Sequence, residues 1–301
     1  MQVLSDLIIG ATAGIASAAL YAVAVVIYKS QREEIRPAII TAIRMWVVLP
    51  LMAFLLFLPF VQNPLSIPLE STLLLALSII LLVVIGDTIY LTSQERIGVS
   101  LAFPISMSFP ILTYFLAIVF LSDTLVLSRL FGIIVTITGL ILITRDQNPI
   151  EEEHDSKQRI DILGITLAIF AAVLYASGTV ALEASITDVD PITANFIMIL
   201  CGSVVFVPLL SVAKVKGIQM PSRRSSKIIA ITGLFDLGLS FLLIIVAVKY
   251  VGATIASVLS SIAPLFAVPI SVFYLNEHAT KSTALGVLAT VIGIILVIAG
   301  I

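Results

Sequence analysis

Apolar runs of about 20 residues recur along the chain between charged or Pro- and Asn-rich breaks, and each is long enough to cross roughly 30 Å of hydrocarbon as a helix. Reading from break to break predicts ten spans, at 7–28, 37–60, 71–94, 99–121, 126–144, 161–183, 191–213, 227–249, 253–275 and 282–301. The short alternating segments of a β-barrel do not occur, so the predicted fold class is an all-α integral membrane protein. The one long polar interval, RDQNPIEEEHDSKQRID from Arg145 to Asp161, reads as a solvated linker. It divides the chain into a first five-span unit over 1–145, a charged linker over 146–160 and a second five-span unit over 161–301. Only Asp6 carries charge ahead of the first run, which is expected to be a retained span rather than a cleaved leader.

Composition strengthens this picture. Hydrophobic residues make up 60% of the 301 and charged ones 11%, with a mean hydropathy of +1.20, outside the range of soluble domains. The single cysteine, Cys201, excludes an internal disulfide framework.

The second half slides onto the first at a constant offset of 154. Gly10 then meets Gly164, Tyr21 meets Tyr175, Pro37 meets Pro191, Gly98 meets Gly252 and Pro110 meets Pro264. The register continues through Asp123 and Glu277, Gly132 and Gly286, Gly139 and Gly293. One register held across five spans, by residues with backbone or charge roles, indicates a duplicated unit. Five is odd, so the second copy enters the membrane from the opposite side, and the two copies are inverted repeats. Loop charge agrees. Lys29, Arg32 and Arg36 follow the first span, whereas the matching loop after the sixth has no basic residue; after the seventh lie Lys214, Lys216, Arg223, Arg224 and Lys227, whereas the loop after the second has none. Over all loops, thirteen basic residues fall on one side and two, Arg129 and Lys249, on the other. By the positive-inside rule the linker is cytoplasmic and both termini lie outside, in the cell membrane.

Several residues stand out against the apolar background. Proline at 110 removes a hydrogen bond to the Ser106 carbonyl, and Pro264 does the same at Ser260, so each matched helix must satisfy a freed carbonyl away from lipid. Ser257, Ser260, Ser261 and Pro264 share one helical face; Phe103, Ser106, Met107 and Pro110 form the matching one. These faces either line a path or allow close helix packing. Arg44, Asp87 and Asp236 are charged residues inside spans, each costing at least about 2.5 kcal/mol to insert unless partnered or hydrated. Arg44 and Asp87 lie at similar depth near the same side, about 10 to 12 Å in, so they can pair; the pair is either structural neutralisation or a place where a substrate carboxylate competes for Arg44. Asp236 has no evident partner. Thr232, Asp236 and Ser240 form one polar stripe, and Asp87, Tyr90 and Gln94 another. A desolvated carboxylate at 236 is a candidate proton carrier. Tyr21, one turn after Ser17, and Tyr175 suit a cavity wall or a helix contact.

Other function classes fit less well. Asp87 sits in VIGD without the first glycine of a Gly-x-Gly-Asp protease motif, and Asp236 in LFDLG without a Tyr-Asp partner. The only histidines, His154 and His278, are predicted in loops, which leaves no imidazole within the membrane to activate a serine. The same scarcity argues against a bound transition metal, and no Gly-rich phosphate cradle appears. The alternatives to a carrier are an intramembrane enzyme using buried carboxylates and a passive channel.

Two five-helix copies, each with a Pro-broken fourth helix ending in an acid (FPILTYFLAIVFLSD and APLFAVPISVFYLNE) and a Gly-punctuated fifth (LFGIIVTITGLILI and ALGVLATVIGIILVIAG), resemble the drug/metabolite transporter superfamily, specifically its EamA-type exporters, over nearly the whole chain. The resemblance implies two inverted repeats around a central cavity that moves small metabolites, such as amino acids, by alternating access; it also implies cytoplasmic termini, opposite to the charge count. The expected partners are a small-molecule substrate, membrane lipid and, as a candidate co-substrate, protons. No cofactor, metal or nucleic acid is expected, and the chain is expected to be a monomer or weak homodimer.

Overall fold

The computed structural model describes residues 2–29, 37–59, 61, 67–146, 161–215, 221–266 and 281–300. The first loop, nearly all of the charged linker, and the segment bearing Glu277 and His278 lie outside the described residues. Among those described there is no strand. The helices are Gln2–Lys29 (span 1), Pro37–Leu55 (span 2), Leu69–Ile79 continuing through Thr88–Ser106, Phe109–Phe120, Leu127–Asp146 (span 5), Ile162–Ile186 (span 6), Pro191–Val215 (span 7), Arg223–Gly233 continuing through Phe241–Ser261, and Lys281–Ala299 (span 10). Among the described residues, seven stretches are long and apolar enough to cross a membrane, and Leu127–Ile143 and Ala284–Ala299 are shorter apolar helices. One of the seven, Arg223–Ser261, contains 39 residues and breaks direction at Gly252, so it holds spans 8 and 9. The protein is a ten-helix membrane protein.

The predicted loop between spans 3 and 4 is a single residue. Gly98 adopts φ 74°, ψ 164°, and its counterpart Gly252 adopts φ 78°, ψ 167°. This left-handed extended region is open essentially to glycine alone, because a Cβ there collides with the adjoining peptide. Glu183 completes the second corner: its Oε2 accepts the amide hydrogen of Ala253 at 2.5 Å, capping the helix that starts there. Gly252→Ala should therefore cost about 1 to 3 kcal/mol, read as a lowered melting temperature in detergent. An unchanged melting temperature would show that the corner tolerates a side chain.

The repeat register recurs in three dimensions. Π-helical turns occupy Ile80–Asp87 and Leu234–Ser240, which start at matched positions. A methyl group at Gly10 would press on Tyr250 and Val251, and one at Gly164 on Arg96 and Ile97, their counterparts in the first copy. Gly132 faces Gly293 just as Gly286 faces Gly139. Contacts that survive exchange of the two copies define a two-fold relation. Because each copy has five spans, its axis lies in the membrane plane and the repeats are inverted.

Both prolines stand where the chain has already stopped being one helix. The helix ending at Ser106 gives way to a turn at Met107 and Ser108, and Pro110 occupies the first turn of the next, where a missing N–H costs nothing. The Ile111 amide donates to the Ser108 carbonyl at 3.1 Å, and the matched Leu265 amide to the Ile262 carbonyl at 2.8 Å. At the end of the linker, Asp161 caps span 6 by accepting from the Gly164 amide (3.1 Å) and from Arg96 (2.8 Å). These two bonds, the amide first, hold its carboxyl below the usual carboxylate range.

Candidate functional site

The π-helical turns widen spans 3 and 8 where the two copies meet, and each carries one of the buried acids. Asp87 closes the first turn and Asp236 is the third residue of the second. Span 2 delivers Arg44 between them. It can do so because Gly233 lies against Arg44 itself; a Cβ at Gly233 would stand 3.1 Å from the arginine Cα. The guanidinium Nη1 donates to Asp236 Oδ2 at 2.7 Å, while Nη2 donates to Asp87 Oδ2 at 3.3 Å and to Thr41 Oγ1 at 3.1 Å. The Tyr28 ring lies beneath it, with its centroid 5.0 Å from Cζ, a cation–π contact. Tyr175 donates its hydroxyl hydrogen to the second oxygen of Asp87 at 3.0 Å.

The predicted Arg44–Asp87 pair is thus present, but it is the longer arm of a three-membered cluster. Asp236, which the sequence left without a partner, is the tighter one. Charges removed from water persist only when paired and hydrogen-bonded, and the guanidinium meets this condition with two carboxylates at once.

The cluster borders a cavity of about 150 Å³ between the two repeats. Of the residues singled out in the sequence, Ser17, Tyr21, Arg44, Asp87, Met107, Tyr175, Asp236, Ser240, Ser257 and Ser260 border it. The Ser240 hydroxyl donates to the Ser17 carbonyl at 2.9 Å, tying span 8 to span 1 in the wall. Tyr90, Ser106, Pro110, Ser261 and Pro264 are not among the residues that border the cavity. Tyr90 packs edge-on against Tyr175, with centroids 6.3 Å apart, and its hydroxyl accepts from the Gln94 amide. Ser106 donates to the Ala168 carbonyl at 3.2 Å and Ser261 to the Val258 carbonyl at 2.8 Å. Pro110 and Pro264 are buried in packing.

Three contributors were not singled out. Phe109 and Phe241 supply aromatic wall. Asn195 on span 7, fully buried, directs its Nδ2 at the carbonyls of Leu237 (3.4 Å) and Gly238 (3.2 Å), within the π-helical turn that carries Asp236. An isolated amide inside an apolar run was the available signal.

Copying the charged residues through the repeat register gives an apolar set. The counterparts of Arg44, Asp87 and Asp236 are Met198, Phe241 and Leu82. Met198 is fully buried, and Phe241 and Leu82 border the same cavity. The scaffold is two-fold and its charge is not.

The EamA-like transporter family profile matches residues 8–145 and again 162–299. A protein from Archaeoglobus fulgidus described as an uncharacterized transporter is 26% identical over 234 residues, 77% of this chain and 78% of that one. A crystal structure described only as that of a protein superposes with a TM-score of 0.74 at 15% identity, covering 97% of this chain and 96% of the other; at that identity it supports the fold alone. With two matched repeats that fill nearly its whole length, the chain is a membrane transporter and belongs to the EamA-like transporter family.

Proposed function

We propose that the protein is a secondary transporter that moves a small polar metabolite, an amino acid or related compound, out of the cell by alternating access. The observation that carries this reading is the cavity between two inverted repeats, with a buried Arg44, Asp87 and Asp236 cluster in its wall. Binding sites of secondary transporters lie at such repeat interfaces, where broken helices leave polar groups facing a shared space. The 13-to-2 distribution of basic residues supports a cell-membrane protein with the 146–160 linker in the cytoplasm.

Counterflow in proteoliposomes, screened over amino acids and related metabolites, tests this function. Saturable flux accelerated by solute on the opposite face is expected; flux linear in concentration and indifferent to the opposite face indicates a pore instead. Protons are the candidate coupling ion and Asp236, hydrogen-bonded to Arg44, their carrier. Asp236→Asn is expected to flatten the pH dependence of exchange, and an unaltered profile would remove this residue from coupling.

A further inference from the structure

We propose, resting on the carrier reading above, that the cavity selects a small monocation with an apolar body, an alkyl- or arylammonium, and seats its head at Asp87. Among the described residues bordering the cavity, Arg44 is the only cation and Asp87 and Asp236 are the only acids. With both ionised, two carboxylates facing one guanidinium leave one negative charge without a counter-ion among the described residues. That charge is not shared evenly. Asp236 sits 2.7 Å from Arg44 with a side chain 5% exposed, whereas Asp87 sits 3.3 Å away and is 23% exposed. Asp87 is the outlying member, and it faces open space.

The charge count also says what the site rejects. A ligand carboxylate arriving at Arg44 would be the third around one guanidinium, in surroundings too dry to screen it. Competition for Arg44, one of the two readings the sequence left open, is therefore disfavoured by the second acid. A zwitterion has one end of the right sign and one of the wrong, so the inference narrows the amino acids and related compounds proposed above to amines that lack the carboxylate. On the other side of the two-fold axis the matched positions, Leu82 and Phe241, offer no group to receive a second charge. Tyr21, Tyr175 and Phe109 complete a wall suited to a hydrocarbon body and to the flank of an ammonium. The volume, about 150 Å³, is of the size that accepts a benzene ring.

Benzylammonium, benzyl alcohol and benzoate share one ring and differ in charge, and calorimetric titration of each into the purified protein in nanodiscs tests the assignment. Benzylammonium is expected to bind at least about tenfold more tightly than either of the others. Asp87→Asn is expected to remove that preference and Asp87→Glu to restore part of it. Benzoate binding as tightly, equal affinities across the series, or no saturable binding by any of the three overturns the inference, and the wild-type series decides even if the variants fail to fold. In counterflow, exchange of zwitterions or anions but not of benzylammonium overturns the monocation and leaves the carrier intact. Unsaturable flux for every solute overturns the carrier, while the titration still tests the site.

Discussion

Arg44→Ala is expected to destabilise the protein by about 3 to 5 kcal/mol, the usual result of removing one partner from a buried ionic cluster. Asp87 and Asp236 would be left facing each other across the space the guanidinium occupied, 3.3 and 2.7 Å from its nitrogens, without a positive charge between them. The measurement is the melting temperature in detergent, alongside counterflow. A companion variant separates folding from function. Arg44→Met, Asp87→Phe and Asp236→Leu together install the residues that the second repeat carries at the matched positions. Replacing a whole buried ion cluster with well-packed apolar residues is often neutral or stabilising; Met is close to Arg in size and the larger Phe and Leu have the bordering cavity to fill, so this triple variant should melt near the wild-type temperature and transport nothing. A triple variant that still transports would make the cluster a structural neutralisation and move the site elsewhere. An Arg44→Ala protein as stable as wild type would mean that the two carboxylates do not need their counter-charge.

Gly139→Val is expected to cost about 3 kcal/mol, at the upper end for overpacking. Spans 5 and 10 touch backbone to backbone through two glycines each. The first methyl carbon at position 139 would already stand 2.6 Å from the Gly286 carbonyl oxygen and 2.6 Å from the Thr290 nitrogen. Neither can yield without moving its helix. In lipid, close packing of small residues replaces the hydrophobic drive that holds soluble helices together, so separating these helices forfeits much of what joins them. A lower melting temperature and faster proteolysis of Gly139→Val are the expected readouts. The matched Gly293→Val should behave alike, because its methyl would meet the Gly132 carbonyl at 2.7 Å. Equal stability of both variants with wild type would overturn the close crossing.

The span pattern and the duplication were legible because each is written locally. Hydropathy marks a helix wherever it lies, and the 154-residue register is carried by glycines and prolines whose roles belong to the backbone, such as Gly98 and Gly252 at the two corners. The Arg44–Asp87 pair was legible from depth alone. The Arg44–Asp236 pair was not: its members lie 192 residues apart, and the repeat offers no hint, since Asp236 matches Leu82. The π-helical turns were equally hidden, because Ile80–Asp87 reads as the continuation of an apolar run. Helical periodicity placed Ser257 and Ser261 on one face, yet a face says nothing of what lies opposite. The cavity meets Ser257, while Ser261 turns back to the Val258 carbonyl.

The uneven filling of a duplicated frame bears on kinetics. Were the two copies chemically alike, a ligand would leave towards either compartment over the same energetic profile, and half-saturation would be equal from both faces. With every charged group that borders the cavity among the described residues gathered around Arg44 and none at the matched positions, the resting place of a charged passenger would be off-centre. If access alternates as proposed, the inward-open and outward-open forms would hold it with unequal strength, and loading and unloading would be distinguishable events although the helices around them are near copies.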